Sequence, residues 1–170
     1  FFGALFTACY SVVHGGGPVG FHVGYFGHIG AYFFLFSSYY GAIDHLADGG
    51  ESKYRVLRIV SAIPAIVPIA LLVWGIVNYG LSTMLTLLML ILPMTFTLYF
   101  AVKHLVFPDV EMGIIRVMRP YNGCVILFCI AELAGQFHYL PETVRTASAI
   151  LSCLFLVLLL PLAEKGVRKW

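Results

Sequence analysis

Long apolar runs alternate with short polar segments along the whole chain. A membrane-spanning helix needs about 20 apolar residues to cross a hydrocarbon core of about 30 Å. Five runs reach or approach this length: residues 21–43, 57–79, 81–102, 121–137 and 146–162. A sixth, residues 1–13, opens in mid-hydrophobic sequence, which is typical of a spanning helix whose beginning is missing. The runs lack the alternation of membrane β-strands. The pattern therefore predicts an all-α, polytopic transmembrane helix bundle of about six spanning helices, in a single domain over residues 1–170.

Composition supports a membrane protein. Hydrophobic residues make up 61% and charged residues 11% of the chain, against about 45–50% and about 25% in soluble domains. A net charge of +2 excludes the basic footprint of a nucleic-acid binder. We therefore expect the lipid bilayer to be the main partner and no nucleic acid to bind.

No metal or cofactor site is expected from the sequence motifs. The four cysteines lie inside apolar runs, which indicates small buried hydrophobic residues rather than a disulfide or metal framework. The chain contains no H-E-x-x-H, Walker or C-x-x-C motif. We therefore assign no metal, no cofactor and no catalytic residue.

The orientation follows from the positions of Lys and Arg. Nine of the ten Lys and Arg residues form three groups of three, which follow the second, fourth and sixth predicted helices. The tenth, Arg145, follows the fifth. The nine are Lys53, Arg55, Arg58, Lys103, Arg116, Arg119, Lys165, Arg168 and Lys169. Because Lys and Arg concentrate in cytoplasmic loops, the count predicts that both chain ends are cytoplasmic. Short loops and the lack of glycosylation sequons favour a bacterial cytoplasmic membrane.

Residues 107–119 carry apolar side chains at helical spacing between polar ones. This pattern predicts a short amphipathic helix on the inner membrane surface, with Arg116 and Arg119 near anionic lipid headgroups. An ordinary connecting loop is the alternative.

Small residues line one face of the second helix: Gly20, Gly24, Gly27, Ala31 and Ser38. Such a stripe allows another helix to approach closely, so we interpret it as a packing contact, with a ligand cleft as the alternative. His28 lies about 40° from Gly24 on the helical wheel and is therefore expected to point into the bundle.

The fifth helix contains Glu132, the only acidic residue deep inside a predicted span. A carboxylate at this depth is expected to face the interior and to have a partner. Cys129, Glu132 and Gln136 share a face of this helix. His28 and Glu132 lie about 12 Å and about 8 Å below the outer ends of their helices. The sequence therefore predicts a contact between His28 and Glu132, with Gln136 and Cys129 beside it, as a ligand- or proton-binding site or as a structural polar pair.

Two classes of function fit these features best. The first is a sensory or signalling input module with a small polar pocket in its outer half and a cytoplasmic output domain or partner subunit. The second is a small-molecule or ion transporter or permease component that uses Glu132 as its coupling site. An intramembrane enzyme ranks third, because no nucleophile–base pair is evident from the sequence.

Overall fold

The computed structural model describes residues 1–15, 18, 21–42, 52–108, 114–137 and 140–169. Within these residues the protein is all-α. Its six helices are α1 Phe2–His14, α2 Val23–Ala42, α3 Arg55–Tyr79, α4 Leu81–Val106, α5 Ile114–Gln136 and α6 Glu142–Lys169, with a 3₁₀ turn at Ser52–Tyr54 before α3.

Four stretches are long and apolar enough to cross a membrane: Ser52–Tyr79, Met84–Val106, Ile115–Gln136 and Glu142–Arg168. Helix α1 is apolar but shorter. Helix α2 has 20 residues and is not among these four stretches. The fold is therefore a helical bundle of a membrane protein with four candidate spans in its described part.

Five of the helices close into a ring. Going round it, α1 packs on α2, α2 on α4, α4 on α5, α5 on α6, and α6 returns to α1. Helix α3 packs against α4 on the outside and is joined to it by the turn at Gly80, whose φ of 81° lies in the region that favours glycine. Helices α2 and α5 face each other across the ring through their side chains.

The centre of the ring is filled from α2, α4 and α5. Its largest fully buried side chains include Tyr32, Tyr39, Met94 and Phe128. Tyr32 and Phe128 stack with ring centroids 5.1 Å apart, at mid-height between α2 and α5. Most large apolar side chains of α3 and α6 instead face outward, as expected for helices that contact lipid.

Helix α1 lies very close to α2 at one point. A Cβ added to Gly27 would lie 2.6 Å from the Cα of Gly3, and one added to Gly24 would lie 2.7 Å from the Thr7 hydroxyl oxygen. Gly24 and Gly27 therefore belong to the close contact with α1. Ala31 and Ser38 are half-buried, and the Ser38 hydroxyl donates to the Leu35 carbonyl oxygen of its own helix.

Some sequence expectations need revision or lie outside the described residues. Gly20 and residues 109–113 are outside them, so the surface helix over 107–119 stays a prediction. Residues 114–119 form the first turns of α5, and Arg116 and Arg119 are exposed there. Cys9 is exposed on α1 rather than buried, although all four cysteines are free. Lys103 is buried inside α4 rather than placed in a loop, with its Nζ 5.5 Å from the centroid of the Phe107 ring.

Candidate functional site

A polar cluster lies within the ring near the end at which α1 stops and α2 begins. His28 of α2 and Glu132 of α5 are 3% and 4% exposed. His28 Nδ1 lies 3.0 Å from Glu132 Oε2, so the contact expected from the helical wheel and from depth is present. The approach is that of an ion pair rather than an aligned hydrogen bond.

Two further helices complete the cluster. The Thr7 hydroxyl oxygen on α1 lies 3.2 Å from the other ring nitrogen, His28 Nε2. On the opposite side, the buried Ser152 hydroxyl of α6 donates to Glu132 Oε1. We call these four residues, Thr7, His28, Glu132 and Ser152, the four-helix network, because each comes from a different helix of the ring.

The geometry of the ring explains why these four side chains meet. Helices α2 and α5 run antiparallel across the ring, so Tyr25 meets Gln136, His28 meets Glu132, and Tyr32 meets Phe128. Thr7 lies one turn after Gly3 on α1, and the Gly3–Gly27 contact brings α1 close enough for its short side chain to reach His28. Small residues at the helix contacts thus place the polar ones within bonding distance.

Polar groups continue from the four-helix network toward this end of the bundle. The Tyr25 hydroxyl donates to Gln136 Oε1 at 2.9 Å. Arg145, in the first turns of α6, is half-buried and lies within electrostatic range of the Tyr25 hydroxyl. Gln136 therefore lies one helical turn from Glu132, bonded to α2 rather than to the acid.

Cys129 lies on the other side of Glu132, toward the middle of the bundle. It is 2% exposed and belongs to the apolar core, with Tyr32 nearby. We call Tyr25, Gln136, Arg145 and the buried pair the polar strip: it extends toward one end of the bundle, and the stacked Tyr32 and Phe128 lie toward the other.

The connectivity of Thr7, His28 and Glu132 is that of a hydroxyl–imidazole–carboxylate triad. The Thr7 hydroxyl, however, also donates to the Gly3 carbonyl oxygen at 3.0 Å, within its own helix. Its backbone neighbours are helical, so their N–H groups are directed along α1 and are not available to stabilise an oxyanion. The arrangement therefore does not favour acyl transfer.

Sequence reasoning missed Thr7, Ser152, Tyr25 and Arg145. A signal for two of them was present. Gly3, Thr7 and Ser11 recur every four residues on α1, as Ser148 and Ser152 do on α6. Small residues at this spacing are typical of helix contacts in membranes, and here they also supply the hydroxyl groups that bond the buried pair.

The described residues contain no group of three or more histidine, cysteine, aspartate or glutamate side chains able to hold a metal ion. No protein-family model, no curated protein and no solved structure matches the chain.

Proposed function

We propose that the protein is a membrane-embedded input module of a sensory or signalling system, and that the four-helix network is its responsive element. The observation that carries this proposal is the bond from Ser152 to Glu132. Ser152 belongs to α6, which continues as one α-helix to Lys169, about 25 Å further along the axis. A change in the network would therefore act on a helix that reaches the opposite end of the bundle.

The shape of the polar strip favours reception over transport. Tyr25, Gln136 and Arg145 connect the buried pair with one end of the bundle, whereas the stacked Tyr32 and Phe128 separate it from the other. A ligand or proton that enters by this route stops at His28 and Glu132. A transporter or permease component, the alternative, needs a second route that opens past the two aromatic rings.

For the orientation, we propose that the end near Arg145 faces outward and that both chain ends are cytoplasmic, in a bacterial cytoplasmic membrane. Because Lys103 is buried within α4, the charge count rests on the other eight cations against Arg145. In this arrangement α1 and α2 join the four candidate spans as membrane-crossing helices. Exposed Arg116 and Arg119 then lie near anionic lipid headgroups on the inner surface.

Labelling of single cysteines tests this topology. In a variant lacking the four native cysteines, Asn78→Cys and Glu142→Cys should react with an impermeant thiol reagent added outside intact cells. Arg119→Cys and Lys165→Cys should react only after the membrane is opened. All four positions are exposed. The reverse pattern would show that the charge asymmetry misassigns the orientation.

Removal of the hydrogen bond between Ser152 of α6 and Glu132 tests the input function. Ser152→Ala removes the bond to Glu132, while Ser148→Ala changes the same residue type one turn away, at a buried position that faces Gly135. Spin labels at exposed Val56 and Val167 report the position of the far end of α6 relative to α3. We expect the distance distribution between these labels to shift or broaden in Ser152→Ala and to stay unchanged in Ser148→Ala.

Identical distributions in both variants would contradict the proposal, because the network would not position α6. A proton-flux measurement in vesicles carrying a pH gradient addresses the alternative. An input module should leave the gradient intact, whereas a proton-coupled pathway should dissipate it in wild type and not in Glu132→Gln.

A further inference from the structure

The hydrogen bonds of the four-helix network bear on how many protons the His28 imidazole and the Glu132 carboxyl group carry together. A threonine hydroxyl has one hydrogen to donate, and Thr7 gives it to the Gly3 carbonyl oxygen. The same hydroxyl oxygen lies 3.2 Å from His28 Nε2. While Thr7 gives its hydrogen to Gly3, the contact with His28 is attractive only in the form in which Nε2 carries a hydrogen; in the other tautomer Thr7 turns its hydrogen to Nε2.

The contact on the other side of the imidazole requires a second proton. His28 Nδ1 and Glu132 Oε2 are 3.0 Å apart, and two lone pairs facing each other at this distance would repel. A proton therefore lies on one of the two atoms. The Ser152 hydroxyl donates to the other carboxylate oxygen, Oε1, so it does not supply this proton.

These two protons make the buried pair electrically neutral overall. The site is either an imidazolium beside a carboxylate or a neutral imidazole beside a carboxylic acid. The two forms differ only in the position of the shared proton. Neutrality is what burial demands, because an uncompensated charge in an apolar interior is strongly disfavoured.

We propose, on the basis of the input function above, that the ligand of this site is a proton held by the Glu132 and His28 pair, and that the Thr7 hydroxyl changes its partner when that proton leaves. On deprotonation, one proton passes to water and the site changes from neutral to a single negative charge. The remaining imidazole proton is then on Nδ1, facing the Glu132 carboxylate. Nε2 becomes an acceptor, so the Thr7 hydroxyl turns from the Gly3 carbonyl oxygen to Nε2.

This change acts on the closest contact between α1 and α2. The Gly3 carbonyl oxygen loses the bond from Thr7, and Gly3 is the residue against which Gly27 packs. The protonation state of a site inside the ring is thereby linked to how α1 lies on α2. Ser152 connects the same carboxyl group with α6.

The ionisable groups around the pair come from three helices and the residues beside them. Among the described residues these are His22 and Tyr25 at the start of α2, Tyr32 further along it, Cys129 of α5 and Arg145 of α6. From α1 the facing polar group is the Thr7 hydroxyl. The basic residues of α4, Lys103 and His104, lie near Tyr39 and Phe107, about three turns from His28. Glu132 is thus the acid nearest to His28.

Nitrogen NMR of the full chain in lipid vesicles tests the proposal, with ¹⁵N-labelled histidine and His28→Gln to identify the His28 signals. We expect Nε2 of His28 to carry a proton at neutral pH. As the pH rises, Nε2 should lose its proton while Nδ1 keeps one. An unprotonated Nε2 at neutral pH would overturn the proposal.

Thr7 variants test the role of the hydroxyl. Thr7→Val keeps the shape but removes two hydrogen bonds from the protonated state and one from the deprotonated state. The pH range over which the His28 nitrogen signals change should therefore differ by about one pH unit between Thr7→Val and wild type. Thr7→Ser retains the hydroxyl and should behave as wild type. If the His28 nitrogen signals change over the same pH range in wild type, Thr7→Val and Thr7→Ser, the Thr7 hydroxyl does not respond to the proton.

This outcome is distinguishable from failure of the input function. A His28 transition with the expected proton positions but no effect of Ser152→Ala on α6 would leave the proton site intact and remove the signalling role. Movement of α6 in Ser152→Ala without the His28 transition would retain the input function and exclude the proton as its ligand.

Discussion

Single replacement of His28 or Glu132 by alanine is expected to lower the free energy of unfolding by about 3–5 kcal/mol, whereas the double replacement should cost clearly less than the sum. Each single variant leaves a buried polar or charged partner without its contact. The double variant removes both groups together. Reversible unfolding in mixed micelles measures the four free energies of the cycle, and we expect a coupling well above about 0.5 kcal/mol.

A second cycle provides the control. Asn122 is also buried on α5, where its side-chain oxygen accepts a hydrogen bond from Tyr39, but it lies about 15 Å along the helix from Glu132. The His28→Ala and Asn122→Ala changes should therefore be additive. Additivity in the His28 and Glu132 cycle as well would mean that their 3.0 Å contact does not stabilise the fold.

Glu132→Gln separates a structural role from a functional one. Glutamine has nearly the same size and can still accept from Ser152 and donate to His28 Nδ1, so the fold should survive. A purely structural pair tolerates this change. A proton site should lose its titration in the folded, membrane-inserted protein, which the His28 nitrogen signals report.

The helices could be predicted from the sequence, and so could the turn between Tyr79 and Leu81, but several other helix ends could not. The apolar run at 146–162 became the 28-residue helix Glu142–Lys169, and the run at 121–137 became a helix that begins at Ile114. Hydropathy marks the part of a helix that lies in lipid. Backbone hydrogen bonding continues into polar turns beyond it, where Arg116 or Glu164 are as compatible with a helix as leucine is.

The buried pair was predictable because its two members are exceptional. Glu132 is the one acid in the middle of an apolar run, and His28 lies at a similar depth on a helix of opposite direction. The hydroxyl groups that bond this pair could not be predicted. Serine and threonine occur throughout membrane helices and often bond their own backbone, as Ser61 and Thr95 do here. Only the ring arrangement of the helices selects Thr7 and Ser152.

The face of α2 was predicted in part. Gly24 and Gly27 form the contact with α1, yet the most buried positions of the helix are Tyr32 and Tyr39. A stripe of small residues identifies where one helix approaches closely. It does not reveal that the neighbouring face carries large aromatic side chains that fill the centre of the ring. The size of the side chains needed there depends on the distance between α2 and α5.

The α1–α2 contact should be the most sensitive packing position in the bundle. Gly27→Leu is expected to lower the free energy of unfolding by about 1–3 kcal/mol or more, because the side chain would meet the backbone of Gly3, which cannot rotate away. Even Gly27→Ala should be destabilising, since its Cβ would lie 2.6 Å from the Gly3 Cα.

Two controls lie on the same helix. A Cβ at Gly30 meets nothing within 4 Å, so Gly30→Ala should be neutral or should stabilise the helix by up to about 1 kcal/mol. Phe33, which is 54% exposed on the face that we assign to lipid, should tolerate Phe33→Leu with little change. Unfolding in mixed micelles compares the variants, and similar free energies for the alanines at positions 27 and 30 would mean that α1 does not pack on α2 through Gly3.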